Sequence, residues 1–182
     1  FMSYVTLPDA VANSRKLMQA GAHVIKIEGG SELCDLVKTL AQAGTPTCVH
    51  LGLTPQSVNV FGGYKIQGRG DAAAEKLLTD AKSVVEAGAA LLVLECVPAE
   101  LAKAVTEAVA VPVIGIGAGA ATDGQVLVMH DMLGMVHGRV PRFVHDFLTD
   151  ERNSARSIEG AFALYQQSVR DGSFPTEQHQ FS

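Results

Sequence analysis

The stretch VIKIEGG, Val24 to Gly30, sets a lysine and a glutamate two residues apart in an otherwise apolar run that ends in a glycine pair. A short run of this kind predicts a strand, here His23 to Gly29, and successive strand side chains point to opposite faces, so Lys26 and Glu28 share one. Charge on a covered face must be paired or bound to something. Whether that face is the interior of a barrel or one side of an open sheet decides the fold.

Outward from this strand, helices and short apolar strands alternate. Thr6-Leu7-Pro8-Asp9 reads as a capped helix start, with an acidic residue three places after the Thr and a proline in the first turn. That helix is expected to end at Gly21, a second to span Ser31 to Ala43 and a third Asp71 to Ala87. All three end on an Ala-Gly step followed within a few residues by an apolar run. Strands are expected at Thr47 to Gly52, Ala90 to Cys96, Val111 to Gly117 and, more weakly, Gln125 to His130. A short helix is read at Pro98 to Ala108, and two amphipathic helices at Arg142 to Leu148 and Arg152 to Arg170. The repeating unit implies parallel strands joined by helical crossovers. An open doubly wound sheet and a closed (β/α)8 barrel both satisfy it. Covered on both faces, doubly wound strands are almost wholly apolar, whereas Lys26, Glu28, His50 and Glu95 fall in the C-terminal halves of several different strands. That is the pattern of a barrel active site. Five strands are too few to close such a barrel, so the expected fold is α/β, a TIM barrel lacking its first three strands. Residues 1–182 then form a single domain of strands 4 to 8 plus C-terminal helices, N-terminally truncated.

The bulk numbers narrow the partners. At 182 residues, 47% hydrophobic and 18% charged, the chain suits one folded domain. A net charge of -5 gives no electrostatic reason to expect nucleic acid. Cys34, Cys48 and Cys96 are an odd number without CxxC spacing, which fits a reducing cytoplasm better than a disulfide framework or zinc site. No apolar run reaches bilayer length, and the first residues lack the features of a signal peptide. Phe1 is not an initiator methionine, which suggests a fragment.

Lys26 and Glu28 read either as an internal ion pair or as a lysine for a substrate anion beside a carboxylate for a divalent metal. A buried pair adds little net stability over apolar replacements, which favours the second reading. Glu95, closing ALLVLE, is a general base if desolvated there, or else a helix cap or solvent-facing end. Cys96, its neighbour, is expected to point the opposite way, toward the helices, as a small core residue. His50 in TCVHLG is either a donor to a substrate oxygen or a satisfied core histidine. The glycines of GIGAG, Gly115 to Gly119, resemble a phosphate cradle only weakly and instead suit close backbone approach to a small ligand. The loop from Leu53 to Ala73 is too long for an ordinary connector and reads as a structured flap or subunit contact, against a disordered spacer. His130-Asp131 could line the site, but such neighbours are common.

VIKIEGG, HLGLTPQSVNVFGGYKIQGRG, LLVLECVP, VPVIGIGAG and DGQVLVMHD, in this order, resemble the ketopantoate (3-methyl-2-oxobutanoate) hydroxymethyltransferase family over nearly the whole chain. The resemblance implies a barrel of the phosphoenolpyruvate/pyruvate superfamily, assembled as a homo-oligomer, a decamer in the family. It implies hydroxymethyl transfer from 5,10-methylenetetrahydrofolate to a keto acid, 3-methyl-2-oxobutanoate, with Mg2+, in pantothenate biosynthesis. Carried over by position, Lys26 matches the lysine on the keto acid, Glu28 the glutamate at the magnesium site, Glu95 the catalytic base and His50 a histidine of the substrate pocket. The histidines and arginines of residues 130–147 stand apart from this carried-over site. The chain departs from the family at its beginning, where two aspartates are the principal metal ligands and the second should lie just upstream of Phe1. An inactive or partner-dependent fragment, and a Mg-enolate lyase or mutase of the same superfamily, are the alternatives.

Overall fold

In chain order the elements are α1 (Leu7–Gln19), β1 (Ile25–Glu28), α2 (Cys34–Gln42), β2 (Thr47–Gly52), α3 (Val58–Phe61), α4 (Asp71–Glu86), β3 (Leu91–Glu95), α5 (Ala99–Ala108), β4 (Val113–Ile116), β5 (Gly124–Gln125), α6 (Met129–Met132) and α7 (Ile158–Arg170). They are seen in a computed structural model that describes residues 2–136 and 138–182. Phe1 and His137, with the readings attached to them, lie outside the described residues.

Helix α1 begins where the Asp9 N–H donates to the Thr6 hydroxyl, 3.3 Å, with Pro8 in the first turn. Helices α1, α2 and α4 each give way within two residues to a glycine of positive φ: Gly21 at 103°, Gly44 at 76° and Gly88 at 112°. A left-handed residue there frees the chain to turn back into the next strand, and only glycine adopts it without a Cβ clash.

All five strands are parallel and lie in the order β1-β2-β3-β4-β5. Right-handed crossovers between sequential parallel strands place each helix on the same side of the sheet. The packing follows suit. Ile25, Ile27, Val49, Leu51, Leu92, Leu94 and Val113 form one core with Ala10 of α1, Leu36, Val37 and Leu40 of α2, Leu77, Ala81 and Val84 of α4, and Ala102 and Val105 of α5. Each such side chain, when fully buried, contributes about 1.5–3 kcal/mol for a valine, leucine or isoleucine, so this outer face holds the sheet together. The opposite face carries a smaller cluster, Cys48, Val93 and Ile116 with Leu53, Cys96 and Phe143. No helix of the crossovers covers it.

Of the first four expected strands, β2 is as expected and the others shorten by one or two residues at each end. Three expectations change more. Cys96 does not face the helices: its φ is 50°, the strand has ended at Glu95, and the thiol packs with Val93 and Ile116 on the inner side. The strand expected at Gln125 to His130 is reduced to β5, after which Val126 donates to Gly115 O (3.0 Å) and the chain coils into α6. The helices expected at Arg142 to Leu148 and from Arg152 are replaced by turns up to Ser157, where α7 starts with its N-cap hydroxyl accepting from Gly160 N (2.9 Å).

Short polar side chains explain that last change. Asp146 Oδ1 accepts from the N–H groups of Leu148 and Thr149 (2.9 and 3.1 Å), and Asp150 Oδ1 from that of Arg152 (2.9 Å). Buried Asn153 donates from Nδ2 to the carbonyls of Phe147, Leu148 and Ser157 (3.2, 3.1 and 3.0 Å). Such side-chain bonds offer the backbone an alternative to the helical ladder.

Candidate active site

Strand periodicity puts Lys26, Glu28, Cys48, His50, Leu91, Val93, Glu95, Ile114 and Ile116 on the inner face. A cavity of about 1730 Å³ opens over it, lined by Lys26, His50 and Glu95 above an apolar floor of Leu91, Val93, Ile114 and Ile116. Parallel register places the three polar groups near the C-terminal ends of neighbouring strands, with Glu28 beside His50 and Gly52 beside Glu95.

His50 is the centre of the arrangement. Its ring is buried, with Nδ1 3.8 Å from Glu28 Oε1 and Nε2 3.2 Å from Glu95 Oε2. Neither nitrogen completes a hydrogen bond of acceptable geometry among the described residues. Buried polar atoms left in this state are costly, and a ligand in the adjoining cavity is one way to satisfy them. Glu28 is held from two sides. Its Oε2 accepts from Gln56 N (2.9 Å), and the Tyr4 hydroxyl meets its peptide N–H and carbonyl (both 3.3 Å). The neighbour of the Glu28 carboxylate is therefore the His50 ring rather than Lys26, whose ammonium faces the cavity with no ion pair among the described residues.

Glu95 is fixed through its backbone. Its carbonyl accepts from Leu53 N (2.8 Å), while Cys96 donates to Ile116 O (2.9 Å) and accepts from Gln67 N (2.9 Å). The left-handed conformation of Cys96 thus ties both ends of the long loop to the strand that carries Glu95. Gly52 has φ 87°, and a Cβ there would collide with the Glu95 carbonyl oxygen, so only glycine permits this close approach. Burial, aided by the Glu95 charge, pushes the Cys96 thiol up to about 12, which leaves it a protonated core group. The loop itself is structured, with a turn at Pro55–Ser57 and α3, and it brings Tyr64, Lys65, Ile66 and Arg69 to the cavity.

GIGAG serves packing. A Cβ on Gly117 would strike Phe143, and one on Gly119 would strike Ala99.

Two features go further than the sequence reading, which let only His130-Asp131 of the C-terminal region line the site. Residues 130–147 do not stand apart from it: Asp131, Arg139, Arg142 and Phe143 all line the cavity. Burial, with the Glu95 charge adding to it, raises Asp131 above the usual carboxylate range, against the opposing effect of His130. No periodicity marks these residues, because α6 and the turns after it reach the cavity only through tertiary packing. A second hollow of about 520 Å³ lies near the C-terminus beside His145, Arg152 and His179. Two of its polar groups are held by Asp150: His145 Nε2 lies 2.6 Å and Arg152 Nη2 2.8 Å from Asp150 Oδ2.

No group of three His, Cys, Asp or Glu side chains converges as a metal site among the described residues. No helix among them is long and apolar enough to cross a membrane.

Among solved structures, dihydrodipicolinate synthase from Agrobacterium tumefaciens is similar over 69% of this chain and 43% of its own, at 16% identity and TM-score 0.45, too distant to bear on the fold. Sequence relatives are far nearer. The 3-methyl-2-oxobutanoate hydroxymethyltransferase of Psychrobacter cryohalolentis is 88% identical over all 182 residues, which span 68% of that protein. The protein of the same name from Yersinia enterocolitica is 58% identical over 181 residues, 67% of its length. The sequence profile of the ketopantoate hydroxymethyltransferases matches residues 1–177, and with Lys26, His50 and Glu95 gathered on one cavity the chain belongs to that family.

Proposed function

We propose that this cavity is where 3-methyl-2-oxobutanoate is bound, loses its C3 proton to Glu95 and receives a hydroxymethyl group, forming ketopantoate. Hydroxymethyl transfer is the activity for which the family is named, and the lyase or mutase alternative gains nothing from the family match. The observation that carries the residue assignment is the convergence on one cavity of an ammonium without an ion pair and a buried imidazole with incomplete hydrogen bonds, both among the described residues, and a carboxylate.

Lys26 binds the anionic keto acid and stabilises the negative charge that develops when C3 is deprotonated. Glu95, on a backbone held by Leu53, is the base. His50, between Glu28 and Glu95, orients Glu95 and offers its remaining hydrogen-bonding capacity to a substrate oxygen. The one-carbon donor is 5,10-methylenetetrahydrofolate, whose negatively charged end suits a rim bearing Lys65, Arg69, Arg139 and Arg142.

Mg2+, when bound, polarises the carbonyl of the keto acid. On this chain Glu28 would be the residue to hold it, as a hard oxygen ligand. The described residues do not complete the ion's ligand set, so the steps above rest on protein side chains alone.

The sequential sheet with its crossover helices on one face suits a segment of a (β/α)8 barrel of the phosphoenolpyruvate/pyruvate type. Assembly as a homo-oligomer and residence in the cytoplasm complete the reading, the latter in keeping with three unbridged cysteines.

Glu95→Gln keeps the shape and removes the base. Turnover of the hydroxymethyl transfer should fall by about 10² to 10⁴ while thermal unfolding stays unchanged. A variant that folds normally and turns over at the parent rate would remove Glu95 from this role.

A further inference from the structure

We propose that Asp131 is the proton donor to the oxygen of the transferred one-carbon group, the acid counterpart of Glu95. The inference rests on the reading of the cavity given above.

The chemistry asks for two proton-transferring groups. The keto acid has one hydrogen on C3, and once the new carbon–carbon bond forms, C3 is quaternary. No hydrogen is left there for an elimination that would admit water afterwards. The one-carbon unit must therefore carry its oxygen when it is attached: water adds to the methylene bridge, both of its C–N bonds to the folate break, the two protons of water go to the two nitrogens, and the unit is left at the oxidation level of formaldehyde. Glu95 takes the C3 proton, and the enolate electron pair forms the C3–C4 bond. The carbonyl π pair of the one-carbon unit moves onto its oxygen, which must be protonated as it becomes the hydroxyl. Asp131 gives that proton. Transfer of the proton held on Glu95 to Asp131 through water restores both groups, so the cycle balances with no oxidant or further reactant.

The geometry separates the two carboxyls. Glu95 stands at the end of β3 with His50 Nε2 3.2 Å from its oxygen, a contact suited to a carboxylate. Asp131 stands on α6, lines the same cavity, and makes no side-chain hydrogen bond or ion pair among the described residues. Burial and the Glu95 charge both favour its protonated form. A carboxyl beside an imidazole and a second, partly buried carboxyl without a side-chain partner among the described residues give one cavity separate groups for the base and the acid that the reaction requires.

The test measures two activities on one variant of the complete, metal-loaded protein. Asp131→Asn is nearly isosteric and breaks no bond seen here. It should leave deuterium exchange at C3 of 3-methyl-2-oxobutanoate essentially unchanged, since that needs only the base, and lower hydroxymethyl transfer at least about 10²-fold. Glu95→Gln should lose both. If Asp131→Asn keeps both activities, or loses both with an unchanged Tm, the proposal is wrong. Should its Tm fall, Asp131→Glu, which retains the acid, decides: transfer preserved supports the assignment, and transfer lost with exchange intact overturns it. A wild-type protein that fails to exchange C3 at all would instead sink the reading of the cavity itself, and this inference with it.

Discussion

Lys26 has little to do with folding. Its ammonium is exposed on the inner face, without an ion pair among the described residues, while its neighbours Ile25 and Ile27 carry the burial on the outer face. Replacing it with methionine preserves the stem and removes the charge, so the thermal midpoint should be unchanged. A charge-assisted hydrogen bond to the keto acid is worth about 1.5–3 kcal/mol, so kcat/KM should drop about 10- to 100-fold, read by steady-state kinetics with varied keto acid. An unchanged kcat/KM would mean that Lys26 does not touch the substrate. The shared face of Lys26 and Glu28 was legible from strand alternation alone. The face of Cys96 was not, because alternation holds only while the strand lasts, and β3 stops one residue earlier in a left-handed turn. The neighbour of Glu28 was hidden for a related reason: His50 is on another strand, and only the register brings it alongside.

At the level of elements, the Ala-Gly steps marked the ends of α1, α2 and α4, since a left-handed glycine is a local requirement visible in sequence. The segment from 142 to 157 misled because its apolar spacing is helical while Asp146, Asp150 and Asn153 bond the nearby backbone instead. Arg152, chelating Asp150 through two nitrogens, holds that carboxyl far below the usual range and reinforces the turn. Asn153 is the centre of this segment. Asn153→Ala would leave up to three carbonyls without their partner beside buried Phe147, and should cost about 2–4 kcal/mol in urea unfolding. A loss below about 0.5 kcal/mol, as at an ordinary surface site, would show that the turns hold without it.

Over the whole molecule, sequential parallel order sends the crossover helices to one face and leaves the other for chemistry. Polar residues at the ends of β1, β2 and β3 announced that division, because strand ends that share a sheet must be neighbours in space. Asp131 was read as a strand end that could line the site and does line it, though from α6; Arg139 and Arg142 could not be read in this way, because they come from beyond α6 and meet the cavity through the path of the chain around it. The chain spans about two thirds of the length of its relatives, so the inner face and the edge of β1 are described here as this chain presents them. The account turns on one claim, that Glu95 draws the C3 proton from a keto acid held over this face. Deuterium exchange at C3 of 3-methyl-2-oxobutanoate, followed by NMR with and without Mg2+ on the parent protein and on Glu95→Gln, tests it most directly. The account predicts metal-dependent exchange in the parent and its loss, by about 10² or more, in the variant. Exchange that proceeds equally well without Glu95 would contradict it.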